Sequence, residues 1–122
     1  YELHGTIYSN HCIKCKKFFD AKYVFESKNI PKCDCGGIIK PDVVLYGEML
    51  DNNTLNTSID LISNSDMLIV AGTSLLVEPA SSLIRYFKGK YLVILNRSNT
   101  KYCDIASLVI NDSLGNIFKQ LK

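Results

Sequence analysis

Short apolar runs alternate with amphipathic stretches over the second part of the chain. Each run has three to five residues and is rich in β-branched side chains. Such runs are typical of strands that are buried on both faces of a sheet. The predicted strands are residues 43–46, Met67–Ala71, Tyr91–Leu95 and Leu108–Ile110.

Between these runs, apolar residues recur at the spacing of one helix face, which predicts three amphipathic helices. Pro79 suits the first turn of the second helix, and Gly89 suits its C-terminal end. The helix faces are Leu55, Ile59 and Ile62; Ala80, Leu83, Ile84 and Phe87; and Leu114, Ile117, Phe118 and Leu121.

The order strand, helix, strand, helix, strand, strand, helix predicts a parallel α/β sheet with right-handed crossovers. A sheet of this kind binds its ligand at the carboxyl ends of the strands, where loops offer backbone amides and small side chains. The loops after the first three strands are therefore candidate ligand loops. They read Gly47-Glu48, Gly72-Thr73-Ser74 and Asn96-Arg97-Ser98.

Four of the five cysteines form two tight pairs before this region. Cys12 and Cys15 are separated by two residues, and Cys33 and Cys35 by one. This pattern is typical of a four-cysteine zinc site, because soft thiolates complete a closed tetrahedron around the ion. With no open position, the zinc would stabilise the fold and take no part in chemistry. The alternative is a set of reduced or redox-active cysteines without a metal.

The second cysteine pair is closer than usual, and Gly36 and Gly37 are expected to supply the tight turn that it needs. His11 is a possible replacement ligand, although its position next to Cys12 makes that geometry awkward. Cys103 stands alone, and we expect it to be a small, partly buried residue.

Bulk composition bounds the class of protein. With 47% apolar and 21% charged residues among 122, the chain suits one domain plus a small module. It has no apolar run near the ~20 residues that cross a bilayer and no signal-peptide pattern, so we predict a cytoplasmic protein without membrane contact. The net charge of +2 does not argue for nucleic acid. The lysine-rich segment 11–40 suits a solvated face or contact with an acidic polymer.

Several motifs occur in one order along the chain and resemble a bacterial-type sirtuin from its catalytic histidine motif to its C-terminus. Sirtuins are NAD-dependent protein-lysine deacylases. The resemblance implies the C-terminal part of a Rossmann-like parallel-sheet domain plus a zinc module. It divides the chain into a catalytic histidine segment (1–10), a zinc-binding module (11–40) and the C-terminal half of the NAD-binding domain (41–122). The motifs are Leu3-His4-Gly5, the cysteine pairs, Lys-Pro-Asp-Val-Val-Leu-Tyr-Gly-Glu at 40–48, Gly-Thr-Ser-Leu-x-Val-x-Pro at 72–79 and Leu95-Asn96.

The resemblance also implies site residues. His4 would be the general base that accepts a proton from a ribose hydroxyl of NAD; without the family, a lone histidine before glycine is more often structural. The residues implied to contact NAD are Gly72, Thr73, Ser74, Asn96, Arg97, Ser98, Ser113 and Leu114. Those implied to contact an acylated-lysine peptide are Val44, Leu45, Tyr46, Gly47, Glu48, Leu75 and Val77.

The glycine-rich phosphate turn that precedes the catalytic histidine in a complete sirtuin does not occur in this sequence, and the chain starts at Tyr1. We therefore expect a fragment or a processed product, with an exposed sheet edge and apolar face. Such a chain would associate with another copy or with the missing N-terminal half, or be only marginally stable. The alternatives to a deacylase are a catalytically silent zinc-containing module that binds protein or nucleic acid, and a protein ADP-ribosyltransferase of the same family.

Overall fold

The computed structural model describes residues 1–121. The chain divides into two compact units, of which the first is Tyr1–Thr54 and the second begins at Leu55. Within the described residues, no helix combines the length and the apolar character needed to span a membrane.

The first unit is built on a three-stranded antiparallel sheet in the order β2-β1-β3. One short helix follows the second strand, and the Asp20 carboxylate caps it by accepting a hydrogen bond from the Tyr23 amide at 2.8 Å. The first three elements are not predictable from the sequence pattern, because residues 5–40 lack apolar periodicity. The elements are β1 (Gly5–Cys12), β2 (Phe18–Asp20), α1 (Ala21–Glu26) and β3 (Ile39–Val43).

The prediction of a strand at 43–46 in the parallel sheet is wrong. The strand in this region, β3, ends at Val43 and pairs antiparallel with β1 in the first unit. A turn follows, in which the Glu48 amide donates to the Leu45 carbonyl at 3.0 Å and Gly47 has a φ of +86°. Apolar content alone does not show where a chain turns, so the run of apolar letters hid the end of the strand.

The predicted boundary between residues 40 and 41 is not the place where the two compact units divide. Residues 40 and 41 lie inside β3, and the units divide after Thr54. The functional division into 1–10, 11–40 and 41–122 stays a prediction.

The second unit contains a parallel sheet in the order β4-β5-β6, which confirms the predicted parallel α/β architecture and three of its strands. The first predicted helix is also confirmed, and so is the last, except that it ends at Lys119, before the predicted face residue Leu121. The elements are α2 (Asn52–Ser63), which begins just before this unit, β4 (Met67–Ala71), β5 (Tyr91–Leu95), β6 (Leu108–Ile110) and α3 (Leu114–Lys119).

The second predicted helix is a 3-10 helix, Ala80–Tyr86, that Pro79 precedes. Gly89 does not end it, because the helix stops at Tyr86 and Phe87 closes it. A Cβ at position 89 would overlap the Ser65 carbonyl oxygen and lie 2.7 Å from that of Asp66. Glycine is therefore required at position 89 by a close approach of two backbone segments.

The prediction that the strands are buried on both faces is wrong for β4. Its Leu68 and Val70 pack against the core cluster of Leu75, Ile84 and Leu92, whereas the alternate side chains are exposed. The exposed apolar residues of this strand include Met67 and Ile69, at 49% and 53% exposure. This confirms the expectation of an exposed apolar face; association with another chain stays a prediction.

Replacing Gly89 with alanine should destabilise the second unit by about 1–3 kcal/mol, because the added methyl must displace backbone. Gly115→Ala is the matched control, since a Cβ there meets nothing within 4 Å and its φ is not positive. That control should be neutral, or stabilising by at most about 1 kcal/mol, because Gly115 lies in α3. Urea unfolding measures the free energy of unfolding of both variants. Equal stability of the two would contradict the requirement for glycine at position 89.

Candidate metal centre and nucleotide pocket

The four paired cysteines converge on one point in the first unit. Their sulfur atoms all lie within 4.8 Å of one another. The Cys12 and Cys35 sulfurs are 3.5 Å apart, and the Cys15 and Cys33 sulfurs are 3.6 Å apart. A tetrahedral zinc with bonds of about 2.3 Å holds its sulfurs roughly 3.8 Å apart. The cluster therefore fits a structural zinc with four protein ligands.

The glycines after Cys35 serve the cluster in two different ways. Gly36 has a φ of +78° and donates its amide to the Cys33 carbonyl at 2.8 Å, which confirms the predicted turn. Gly37 does not have a positive φ; instead, a Cβ there would lie 2.6 Å from the Cys12 sulfur. The first glycine shapes the turn, and the second leaves room for the sulfur cluster.

Backbone amides prepare the first sulfur for a metal. The amide of Cys15 lowers the pKa of the Cys12 thiol to about 6, against the opposing effect of burial, and the amide of Lys14 adds to the effect. Lys17 lies nearby and forms an ion pair with Asp34 at 2.8 Å. This ion pair raises the pKa of Lys17, with a smaller contribution from the cysteine thiolates.

The Cys15 thiol shows the opposite shift. The Lys17 amide lowers its pKa, but hydrogen bonds shared with the Cys35 and Cys33 sulfurs raise the pKa to about 12. Four sulfurs at this spacing cannot all ionise unless a cation compensates their charge. The donor set therefore suits a divalent cation that displaces protons as it binds.

His11 does not join the cluster. Its Nδ1 lies 2.8 Å from the Asp42 carboxylate, which also accepts a hydrogen bond from the Ser9 hydroxyl. Although partial burial opposes the effect, the bonds from Ser9 and His11 lower the pKa of Asp42. Cys103, in the second unit, is partly buried as predicted, and its sulfur accepts from the Thr100 amide at 3.2 Å.

His4 lies in a turn that the backbone fixes tightly. Gly5 closes the turn by donating to the Glu2 carbonyl at 2.9 Å, and its φ is +70°. A Cβ on Gly5 would overlap the Asp42 carbonyl oxygen. The His4 carbonyl accepts from the Val44 amide at 3.0 Å, and the His4 residue is exposed. The structure therefore brings the predicted base next to the first of the predicted substrate residues.

The other predicted substrate residues differ in exposure. Leu45 is 55% exposed and Tyr46 is fully exposed, so both side chains are free to meet a ligand. In the second unit, Leu75 is buried in the core, whereas Val77 is exposed. Any contact that Leu75 makes with a peptide therefore has to come from its backbone.

A pocket of about 400 Å³ opens at the carboxyl ends of the three parallel strands. It draws on the loop after β4, the loop after β5, and the segment between β6 and α3. Five of its residues are among those predicted to contact NAD, and two, Asp112 and Gly115, were missed. The lining residues are Gly72, Asn96, Arg97, Asp112, Ser113, Leu114 and Gly115.

Backbone bonds beyond the strands hold the pocket together. The Gly72 amide donates to the Leu95 carbonyl at 3.0 Å, and the Asn96 amide donates to the Ile110 carbonyl at 3.1 Å. Gly72 has a φ of +66°, and a Cβ there would come within 3.1 Å of the Leu114 side chain. The loop after β4 therefore needs glycine both for its turn and for its contact with α3.

Three predicted NAD residues lie outside the pocket lining: Thr73, Ser74 and Ser98. The Thr73 hydroxyl accepts from the Leu75 amide at 3.1 Å, and the Ser98 carbonyl accepts from the Asn96 side chain at 2.9 Å. These contacts shape the loops behind the pocket.

A sequence signal for the missed pocket residue Asp112 does exist. Asp112 and Ser113 stand between a strand and a helical apolar face, where helix-capping residues are common. In the structure, the Ser113 hydroxyl caps α3 by accepting from the Asn116 amide, and the Asp112 carboxylate accepts from the Asn116 side chain at 3.0 Å.

Together these features define a class: a parallel α/β unit with a ligand pocket at its strand ends, joined in sequence to a small four-cysteine metal module. The family model described as "Sir2 family" matches residues 1–79, which is more than half of the chain. The chain therefore belongs to the Sir2 family.

Relatives and solved structures agree with this assignment. An NAD-dependent protein deacetylase of Clostridium acetobutylicum is 55% identical over 121 residues, covering 98% of this chain and 49% of that protein. One of Clostridium perfringens is 54% identical, covering 96% and 49%. A structure of Sir2 with a p53 peptide and NAD+ has a TM-score of 0.85 at 35% identity, covering 97% and 52%. The chain thus spans about half the length of the curated relatives it matches.

Cys33→Ser should weaken zinc binding by more than about 100-fold. Mutating a group that only hydrogen-bonds to a metal ligand typically costs about 10- to 100-fold in metal affinity, and this variant removes a ligand itself. It should also destabilise the first unit, because metal binding is coupled to folding. Cys103→Ser is the matched control and should keep one zinc per chain. Elemental analysis and competition with a chromophoric chelator measure both. Equal zinc content in the two variants would refute the assignment.

Gly37→Ala should weaken zinc binding by about tenfold or more while leaving all four ligands in place, because its methyl group would press on the Cys12 sulfur. Gly115→Ala, which adds the same methyl in open space, should bind zinc like the unchanged chain. The same chelator competition compares them. Unchanged affinity in Gly37→Ala would show that the cluster tolerates displacement of the sulfur.

Proposed function

We propose that this chain is the part of an NAD-dependent protein-lysine deacylase that carries the general base, the zinc module and one side of the NAD site. The observation that carries the proposal is the backbone bond between the His4 carbonyl and the Val44 amide, at 3.0 Å. It places the only histidine in a His-Gly motif beside the segment implied to meet the acylated lysine. The names of the relatives favour deacylation over a silent binding module or ADP-ribosyl transfer.

The chemistry assigned to His4 follows from its surroundings. NAD, when bound, supplies the ribose that takes the acyl group as nicotinamide leaves. The His4 residue is exposed, so in this proposal its imidazole can reach a ribose hydroxyl and accept a proton from it. The turn at Gly5 and the hydrogen bond to Val44 hold the backbone of His4 in place, so the position from which its side chain extends is fixed.

The pocket at the strand ends supports the NAD part of the proposal. In this proposal, Gly72, Asn96 and Arg97 lie against the nucleotide, and Ser113 and Leu114 border its adenine end. The backbone at Gly72 can approach a ribose or phosphate closely because it carries no side chain. Thr73, Ser74 and Ser98 stay proposed NAD contacts, although they lie outside the pocket lining.

The partners follow from the same proposal. A protein or peptide with an acylated lysine would meet Val44, Leu45, Tyr46, Gly47 and Glu48 in the first unit. The structures that this chain is similar to include Sir2 bound to an acetylated peptide. Leu75 and Val77 stay proposed substrate residues of the second unit. Association with the remaining half of the enzyme or with another copy, and a cytoplasmic location, stay predictions.

His4→Ala should lower NAD-dependent deacetylation of an acetyl-lysine peptide by about 10²- to 10⁴-fold, because the proton acceptor is lost. The assay follows nicotinamide and deacetylated peptide, on this chain and on a longer protein that contains it. His11→Gln is the matched control: it removes the other histidine, whose ring faces Asp42. His11→Gln should stay active. Activity that survives His4→Ala would rule out the assigned base.

A further inference from the structure

Lys40 joins the end of β3 to the turn that follows it. Its ammonium donates to the Val43 carbonyl at 3.0 Å and to the Glu48 carboxylate at 2.9 Å. The same carboxylate oxygen accepts from the Leu45 amide at 3.0 Å. Two side chains therefore connect the last carbonyl of the strand, the first amide of the turn and each other. We call this set of contacts the 40–48 clamp.

The clamp encloses a turn with a defined shape. The Glu48 amide donates back to the Leu45 carbonyl at 3.0 Å, and Gly47 has a φ of +86° at the third of the four positions. This combination is typical of a type II turn. Tyr46, at the second position, is fully exposed. The turn thus exposes an aromatic side chain to solvent, while hydrogen bonds fix the backbone at its first and last residues.

The clamp stabilises the turn mainly through the hydrogen bonds that Lys40 and Glu48 form with main-chain groups. Lys40 and Glu48 are 35% and 44% exposed, and an isolated ion pair at such exposure contributes little. Here each charge also binds a main-chain group, and hydrogen bonds to charged groups are stronger than neutral ones. The Leu45 amide, followed by Lys40, lowers the pKa of Glu48, so the carboxylate stays charged near neutral pH.

The clamp and the neighbouring hydrogen bond to His4 determine which main-chain groups remain free to bind a ligand. The Val43 carbonyl is bound by Lys40, the Val44 amide by the His4 carbonyl, and the Leu45 amide by Glu48. These groups fix the segment itself. A peptide that docks here must therefore meet the exposed side chains of Leu45 and Tyr46 and other main-chain groups of the segment, all held in one arrangement before binding.

We propose that Lys40 and Glu48 are positioning residues that hold the 45–48 turn in the shape that receives the acyl-lysine peptide. Glu48 then acts through Leu45 and Lys40, without its carboxylate touching the peptide. A turn ordered in advance does not lose conformational freedom on binding, so the clamp strengthens peptide binding. This inference rests on the proposed deacylase function and adds to it the residues that organise the substrate turn.

The test compares Lys40→Met, Glu48→Ala and the double variant in the deacetylation assay. We expect each single variant to raise the KM for the acetyl-lysine peptide about fivefold, with kcat changed less than about twofold, because the turn must be ordered on binding. The double variant should lose less than the product of the two single losses, because either single variant already breaks the ion pair that joins the two sets of contacts. Lys40→Arg should restore most of the affinity, since it keeps the charge and the donors.

Lys22→Met is the matched control. Lys22 pairs with Glu26 at 3.9 Å on the exposed face of α1, so the variant makes the same change of charge and side chain in the same unit. It should leave KM unchanged. The zinc content of every variant reports whether the first unit is intact. An unchanged KM in Lys40→Met and Glu48→Ala, or a double variant whose loss is the product of the single losses, would overturn the proposal.

A second measurement separates failure of this inference from failure of the proposed function. Amide hydrogen exchange at Leu45 reads the clamp directly in this chain and needs no activity. Exchange should be about tenfold faster in Glu48→Ala, because the amide loses its charged acceptor. If a longer protein that contains this chain unchanged does not deacetylate, the proposed function fails, while slow Leu45 exchange still shows an ordered turn. Equal exchange in the unchanged chain and Glu48→Ala overturns the clamp whatever the activity.

Discussion

The antiparallel pairing of β1 with β3 is the constraint on which the first unit depends. At one end of this ladder Cys12 lies opposite Ile39, which follows the second cysteine pair, and at the other end Gly5 lies opposite Val43. One set of hydrogen bonds therefore brings the two cysteine pairs together and sets His4 beside Val44. Across its middle, the Asp42 carboxylate on β3 binds Ser9 and His11 on β1. A slip in this register would disturb both ends at once.

A sheet this small cannot hold that register by apolar burial alone. The buried cluster of the first unit consists of Cys12, Cys33 and Ile39, with Phe19 and Val24 partly buried against it. Domains with so little core usually need a metal or disulfides. Two of the three buried residues are themselves zinc ligands, so metal and core are the same feature here. In this arrangement the zinc would stabilise the ladder whose far end carries His4, the proposed general base.

The sequence predicted the parallel sheet well and the antiparallel one poorly, for a physical reason. Strands β4, β5 and β6 are unbroken apolar runs, so the residue that follows each run is easily assigned to a loop at the strand end. Gly72 and Asn96 were predicted in this way as ligand-loop residues, and both line the pocket. Strand β1 mixes polar residues with exposed Ile7 and Tyr8, and its register shifts between Thr6 and Asn10.

The errors that remain have the same origin: the sequence does not show long-range contacts. The run 43–46 looked like a buried strand because apolar letters do not reveal a turn that Lys40 and Glu48 hold from outside. Gly89 looked like a helix end, whereas backbone from residues 65 and 66 makes glycine necessary there. The zinc site was predictable because ligand chemistry limits both residue type and spacing, but the need for Gly37 depends on where the Cys12 sulfur lies.

The two units build their sites by different means, and this difference bears on a chain half as long as its relatives. In the first unit, the cysteine cluster, the ladder and the turn form a continuous series of contacts from the cysteines to Glu48, all inside residues 1–54. In the second unit, the pocket lies where the parallel sheet aligns the ends of its strands. Each set of contacts lies within its own unit. The exposed side chains of Met67 and Ile69 on β4 take part in neither set of contacts. The contacts that form the cysteine cluster and the pocket are therefore separate from those that would cover this face of the sheet.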